Sequence, residues 1–576
     1  MSLMKHQFSM VPRADIPRSQ FDRSHNYKTT FDAGYLVPFY IDEALPGDTF
    51  QADISVFARL ATPIVPIMDN LYMDTFYFAV PIRLIWENWQ KFNGEQENPG
   101  DSTDFLVPQV ESGTGWTPES LEDYFGLPTG VAGLSVSAFW HRAYNLVWNE
   151  WFRDENLQDS VPVPKGDGPD ESRNYKLLRR GKRHDYFTSC LPWPQKGPGV
   201  ELPLGVGDVV GSANVDLYSR GTQNFPFYSV GPDVDGKFYG ADIMVNLGSS
   251  GYPSGYGASF VPNGYGSARD ALVQDAFTLK MRSSGFNAAQ FTAPVQLAFS
   301  NSGPNGTFAG LTGKLNPAGL TVTLGAASIQ SLRNAFQIQK LRERDARGGT
   351  RYTEILRAHF GVVSPDGRLQ RPEYLGGSSS RVVVSPVAQT SSTDSASPQG
   401  NLAAFGLVSD TKSGFTKSFV EHCVIIGLVN VRADLTYQQG IPRMFSRKTR
   451  FDFYWPALAH LGEQAVLVKE IYATGDNEID DLVFGYQERY AEYRYFPNQI
   501  TGRFRSSYSQ SLDFWHLGQE FAAAPSLGSD FIEDNPPVDR VVAVPSEPHF
   551  LFDCWMKLRC ARPMPVYGVP GLVDHF

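Results

Sequence analysis

Only four cysteines occur in the 576 residues, at positions 190, 423, 554 and 560, and none forms a CxxC pair. They read as reduced, buried thiols of a cytosolic or otherwise disulfide-free protein. Positive charge is also short: 50 Lys and Arg against 61 Asp and Glu leave a net charge of −11. That balance argues against a dedicated nucleic-acid binder, while leaving room for one basic face. No apolar run approaches the ~20 residues of a membrane span. The opening MSLMKHQFSMVPRAD lacks the apolar core of a secretory signal, so a soluble chain outside the common secretion route is expected.

Catalytic signatures are missing as well. Gly313-Lys314 is followed by Leu315 and has no glycine five residues before it, so it is no phosphate-binding loop. There is no GxSxG, no HExxH, no EF-hand loop, and no GxGxxG placed between a strand and a helix. The ten histidines are scattered, with no HxH pair. Acid clusters at Asp167/Asp170/Glu171 and Glu478/Asp480/Asp481 have the composition for a hard cation or a carboxylate pair. Both lie in polar, loop-like sequence and read as solvated loops. No catalytic, cofactor or metal residue is therefore expected.

What the chain does have is β-structure. In 423–437 the odd positions, from Cys423 through Val429 to Tyr437, carry no charge. The even positions begin as Val424, Ile426 and Leu428, then turn polar at Asn430, Arg432, Asp434 and Thr436. Period two puts these sets on opposite faces, one buried throughout and one reaching water halfway along. Residues 50–60 and 549–560 alternate in the same way, and 71–80 is rich in aromatic and β-branched residues. Strands at both chain ends must meet in one sheet or sandwich, with everything between them as insertion. The 40 prolines and 13% aromatic content suit such a loop-rich β protein.

The insertions differ in character. Residues 1–48, broken by Pro12, Pro17, Pro38 and Pro46, read as an extended arm without a core of its own. Its Lys5, Arg13, Arg18, Arg23 and Lys28 suggest that it lies on a partner. Apolar spacings of three and four over 136–152 predict a helix within an insertion at 81–204. Residues 205–327 hold 20 of the 53 glycines and only 13 charged side chains, which predicts a surface-contact insertion. A third insertion, 328–420, opens with a helix over 328–347 with Ser328 as N-cap. A shorter helix follows at 351–360, and then a Ser/Gly/Pro loop at 376–401.

Basic residues interleave with aromatics in two places. Arg443, Arg447, Lys448 and Arg450 precede Phe451, Phe453, Tyr454 and Trp455, while Arg494, Arg503 and Arg505 mix with Tyr493, Tyr495, Phe496, Phe504 and Tyr508. Arg and Lys neutralise phosphates, and aromatic faces stack unpaired bases with little sequence preference. Subunit interfaces are enriched in the same residue types, and both possibilities stay open. The candidate nucleic-acid residues are Arg443, Arg447, Lys448, Arg450, Arg503 and Arg505. A second set, Arg179, Arg180, Lys182 and Arg183, comes from the acid-free run 173–183.

Long runs resemble the major capsid protein family of gokushoviruses, a branch of the microviruses. They include IPRSQFDRSH (16–25), FDAGYLVPFYIDEALPGDTF (31–50), FARLATPIVPIMDN (57–70), RGKRHDYFTSCLPWPQKG (180–197), VRADLTYQQG (431–440) and FYWPALAHLGEQ (453–464). The resemblance implies a mainly β subunit, a single eight-stranded antiparallel jelly roll of viral capsid type with long loop and helical insertions. It spans 49–576 behind the arm. Copies would self-assemble into a small icosahedral shell around a circular single-stranded DNA genome of a bacteriophage. The resemblance further implies an internal scaffolding protein, a minor DNA pilot protein, assembly in the host bacterial cytoplasm, and a host receptor met by 205–327. A carbohydrate-active jelly-roll enzyme or glycan-binding protein is the competing class, with aromatics for sugar stacking and an acid pair for hydrolysis.

Overall fold

The computed structural model describes residues 17–200, 329–349, 352–361, 370–390, 393 and 398–567, with five short strands between 208 and 323. The first strands are β1 (Ser19–Asp22), β2 (His25–Phe31), β3 (Val37–Ala44), β4 (Thr49–Leu60) and β5 (Leu71–Pro81). Helices α1 (Phe139–Val147), α2 (Ile329–Arg347) and α3 (Tyr352–Phe360) follow. The second half supplies β6 (Glu373–Arg381), β7 (Val383–Ala388), β8 (Leu402–Ser418), β9 (Cys423–Ala433) and β10 (Phe550–Arg562).

These strands form two antiparallel sheets packed as a jelly roll. One sheet runs β1–β10–β4–β8–β7, with β2 also on β10; the other runs β6–β5–β9–β3. The chain ends meet in the first sheet, where Cys554 lies opposite Val56 and Phe550 opposite Leu60. The alternation of β4 is realised: Phe50, Ala52, Ile54, Val56, Ala58 and Leu60 are buried, while Gln51, Asp53, Phe57 and Arg59 are exposed. These side chains meet Tyr77, Ile425, Val429 and Val431 of the facing sheet in the main core. All four cysteines are free and buried.

Among the described residues the two sheets hold ten strands, where eight were expected. β1 and β2 run end to end along one side of β10, and β6 and β7 meet at buried Val382, where the chain passes between sheets.

Three expectations are corrected. The arm 1–48 does have a core, because residues 19–44 form β1, β2 and β3, and Phe31 is 1% exposed. Of its basic residues, Arg23 pairs with Asp42 at 2.6 Å and Lys28 with Asp553 at 2.9 Å, while Lys5 and Arg13 lie outside the described residues. Residues 376–401 are not one loop: β6 lies on β5 and β7 on β8. A Cβ at Gly377 would sit 2.1 Å from the Thr75 carbonyl oxygen, so the glycine is what lets the strands approach. Finally, the even face of β9 never reaches water. Val424, Ile426 and Leu428 pack with Phe139, Ala143, Tyr144 and Val147 of α1 and with Trp86, a second core outside the sandwich. Asn430 and Arg432 are buried too.

α1 continues as a single π-helical turn, Trp148–Phe152, and α2 ends at Gly348. The Ser328 cap and most of 205–327 lie outside the described residues. Residues Gly199–Lys340 form a unit of their own. In it 215–217, 295–296 and 312–315 make one antiparallel sheet and 208–210 pairs with 321–323. Among the described residues no helix is long and apolar enough to cross a membrane.

Candidate nucleic-acid interface

After β9 short turns at Arg443–Phe445, Arg450–Asp452, Ala491–Tyr493 and Gly502–Phe504 flank an antiparallel hairpin of Glu463–Leu467 with Val483–Glu488. A third hydrophobic cluster supports them, built from Tyr186, Phe187, Tyr437, Val466, Ile471, Phe484 and Phe531. The two basic–aromatic segments, far apart in sequence, thereby line one cleft of about 420 Å³. Ile441, Met444 and Phe445 form one wall, Tyr493, Tyr495 and Phe496 another, with Arg443, Arg447 and Arg505 among them. Phe445 is 74% and Phe496 71% exposed, and Phe451, Phe453, Tyr454 and Trp455 also face outward.

The cations of this surface divide into two kinds. Arg443 donates to Glu470 and to the Ala465 carbonyl, both at 2.8 Å. Glu470 is buried, accepts the Tyr186 hydroxyl at 2.9 Å, and has its pKa raised, chiefly by burial. Arg447 lies 3.5 Å from Glu492 and stacks 4.3 Å over the Tyr493 ring. These two guanidinium groups are spent on neighbouring carboxylates.

Lys448, Arg450 and Arg503 are exposed and form no ion pair among the described residues. Asp452 instead caps the turn, accepting from the Lys448 and Thr449 backbone N–H at 2.9 and 2.6 Å. Arg450 rests 4.5 Å over Trp455 and Arg503 5.7 Å over Tyr508. Arg505 is exposed and donates to the Gln438 carbonyl at 2.7 Å.

In the run 173–183, Arg179, Arg180 and Lys182 are half-buried and engaged with neighbouring elements. Arg180 pairs with Asp74, which also accepts from Arg432 at 2.8 Å and from the Ser379 hydroxyl at 2.5 Å. Burial works to raise the Asp74 pKa, but these hydrogen bonds outweigh it and hold the carboxyl below its ordinary range. Arg179 covers the Tyr35 ring at 4.0 Å and donates to Asn535 at 3.0 Å. Lys182 donates to the Phe531 carbonyl at 2.5 Å, and burial lowers its pKa to about 8. Arg183 alone of the four is exposed.

Each acid cluster has one buried member, Asp170 or Asp480, while Asp167, Glu171, Glu478 and Asp481 are exposed as the solvated-loop reading expected. Asp170 is buried and clamps Arg142 through two bonds of 2.7 Å, and Asp167 accepts the Trp86 indole N–H at 2.8 Å. Asp480 accepts the Thr474 and Gly475 backbone N–H, while Asp481 meets Lys469. Among the described residues no group of three or more His, Cys, Asp or Glu could hold a metal ion.

Sheet pairing also assembles a basic–aromatic face that a scan for charge runs passes over. On the outer side of the first sheet, Arg59, Lys557 and Arg559 are exposed beside Phe57, Leu551 and Trp555. Their period-two spacing on separate strands was the available signal.

Residues 9–572 match the family model described as capsid protein (F protein). Capsid protein VP1 of Bdellovibrio phage phiMH2K is 45% identical over 99% of this chain and 98% of its own length. Its counterpart in Chlamydia phage 1 is 46% identical over the same shares, and that of Spiroplasma virus 4 is 36% identical over 98% and 97%. The resemblance to gokushovirus capsid proteins therefore stands. The chain belongs to the phage capsid protein (F protein) family and is a structural, self-assembling protein of the virion shell, not an enzyme.

Proposed function

We propose that, in the assembled shell, the exposed surface of 441–508 lies against a single-stranded DNA genome. The observation that carries this is the convergence of unpaired cations, Lys448, Arg450 and Arg503, with outward-facing rings such as Phe451, Trp455 and Tyr508. Phosphates are neutralised by the first and unpaired bases stacked by the second, without sequence preference. Arg505 and Arg183 belong to the same exposed set, whereas Arg443, Arg447, Arg179, Arg180 and Lys182 serve the surface by holding it in shape. With a net charge of −11, attraction to DNA is confined to such a face.

The test is charge reversal at Lys448, Arg450 and Arg503 together, followed by measuring the DNA content of the particles. Shells that form but package less DNA are expected. The log–log salt slope of DNA binding should fall by about 0.9 for each phosphate that is no longer neutralised. Normal packaging with an unchanged slope would assign the surface to subunit contacts instead.

The same reading gives 205–327 the role of meeting a receptor on the host cell. Its support is composition: 20 glycines and 13 charges in a Tyr/Ser/Asn-rich segment. An internal scaffolding protein and a minor DNA pilot protein complete the proposed partners, with assembly in the bacterial cytoplasm.

A further inference from the structure

We infer that the cleft between 437–447 and 493–505 takes up one unpaired nucleobase, an inference that rests on the DNA reading above and makes it specific. Its floor is preorganised. Tyr437 is 8% exposed, its ring lies parallel to Phe521 and Phe531 at 6.1 Å each, and Phe187 meets it edge-on at 5.2 Å. The walls are unfilled aromatic surface, with Phe445 and Phe496 the most open of the rings. At about 420 Å³ the space falls within the range of small-ligand sites and holds a base with its sugar. It is too small for a helix about 10 Å across.

Charge selects among flat apolar occupants. Inside the cleft Arg443 and Arg447 are balanced by Glu470 and Glu492, so their charges are already engaged. Arg505 stands among the lining residues, and Lys448 directly follows Arg447 in the chain; neither forms an ion pair among the described residues. Paired charges within the slot and free cations at Arg505 and Lys448 fit a neutral base stacked on the rings with its phosphates held by those cations. They do not fit a phosphate or an acidic peptide in the slot, because Glu470 and Glu492 are already there. An apolar side chain from a second copy fits the slot but leaves the flanking cations unused.

The experiment compares oligothymidylate with an abasic oligonucleotide of equal length and charge, each titrated against the full-length protein by fluorescence anisotropy at low salt. Oligothymidylate is expected to bind about tenfold tighter, the order of one stacked base. Phe445→Ala and Phe496→Ala should each erase that preference while leaving the abasic affinity unchanged. Phe496→Trp should retain it, which separates a missing stacking face from a damaged fold. Equal affinities for the two oligonucleotides would overturn the pocket and leave the DNA surface standing. Failure of both to bind would overturn the DNA reading itself. Variants that lose shell assembly while keeping the base preference would identify the cleft as a contact between subunits and overturn the inference.

Discussion

Arg443 holds its guanidinium 2.8 Å from the Glu470 carboxylate, whose side chain is 3% exposed. A charge that deep needs its partner, because an unpaired buried ion costs several kcal/mol. The exposed cations nearby have no such obligation.

That contrast gives the first prediction. Arg443→Ala should lower unfolding stability by about 3 kcal/mol, since it strands Glu470. Lys448→Ala, Arg450→Ala and Arg503→Ala should each stay within about 0.5 kcal/mol. Urea unfolding of the unassembled subunit measures both. Equal, small effects at all four positions would show that the Arg443–Glu470 pair is not holding the surface together.

A second prediction concerns Phe31, in the segment whose composition suggests an arm. It is 1% exposed, stacks on Phe550 at 5.6 Å and meets Phe552 edge-on at 5.8 Å. Phe31→Ala should cost about 3–5 kcal/mol in the isolated subunit. An arm that served only neighbouring copies would leave the isolated subunit unaffected and weaken assembly alone, so the two roles separate cleanly.

The third prediction follows from Asp534, which is 3% exposed and whose pKa burial raises from 3.8 to about 6, with Lys182 and Arg180 pulling it partly back. The folded state thus binds a proton more tightly than the unfolded one. This contribution to stability is complete below pH 3.8 and is lost as pH rises through about 6. Its full size is about 3 kcal/mol at 1.36 kcal/mol per unit. Lys182, lowered from 10.5 to about 8, acts only in the alkaline window between those values, where stability rises with pH. Asp534→Asn should therefore flatten the fall in thermal midpoint between pH 4 and 6 relative to the unaltered chain. An identical pH profile in the variant would place the slope elsewhere.

Much of this architecture was legible where strands alternate. β4 and β10 show their buried and exposed faces directly in the residues, and β5 and β9 show their strand character. β6 and β7 did not, because Gly376, Gly377 and Ser378–Ser380 have the composition of a loop. β6 owes its strand state to pairing with β5, a partner some three hundred residues earlier, and β7 to pairing with β8. Asn430 and Arg432 looked like a water-facing edge because periodicity reports sides and not what covers them. α1 and the Asp74 pair supply that cover. The basic site failed in the same way. Arg443 and Arg447 form a charge run with Lys448 and Arg450, but the acids that neutralise them, Glu470 and Glu492, stand over twenty residues away in sequence. A local run of charge shows which residues stand close together and not which of them have a carboxylate partner.

The last prediction concerns 205–327. All ten sandwich strands lie outside it: β5 ends at Pro81 and β6 begins at Glu373. Loop closure also penalises length weakly, about 0.6 kcal/mol per doubling, so shortening the connection changes the unfolded-state entropy little. Replacing 205–327 with a short Gly/Ser bridge should leave a soluble subunit with a sandwich of unchanged unfolding cooperativity. If the segment meets the host receptor, particles carrying the deletion should lose adsorption to host cells while their shells remain visible by electron microscopy. Normal adsorption by such shells would remove the attachment role. An insoluble subunit would show that the sandwich depends on the segment after all, and soluble subunits that never close a shell would give it a part in assembly.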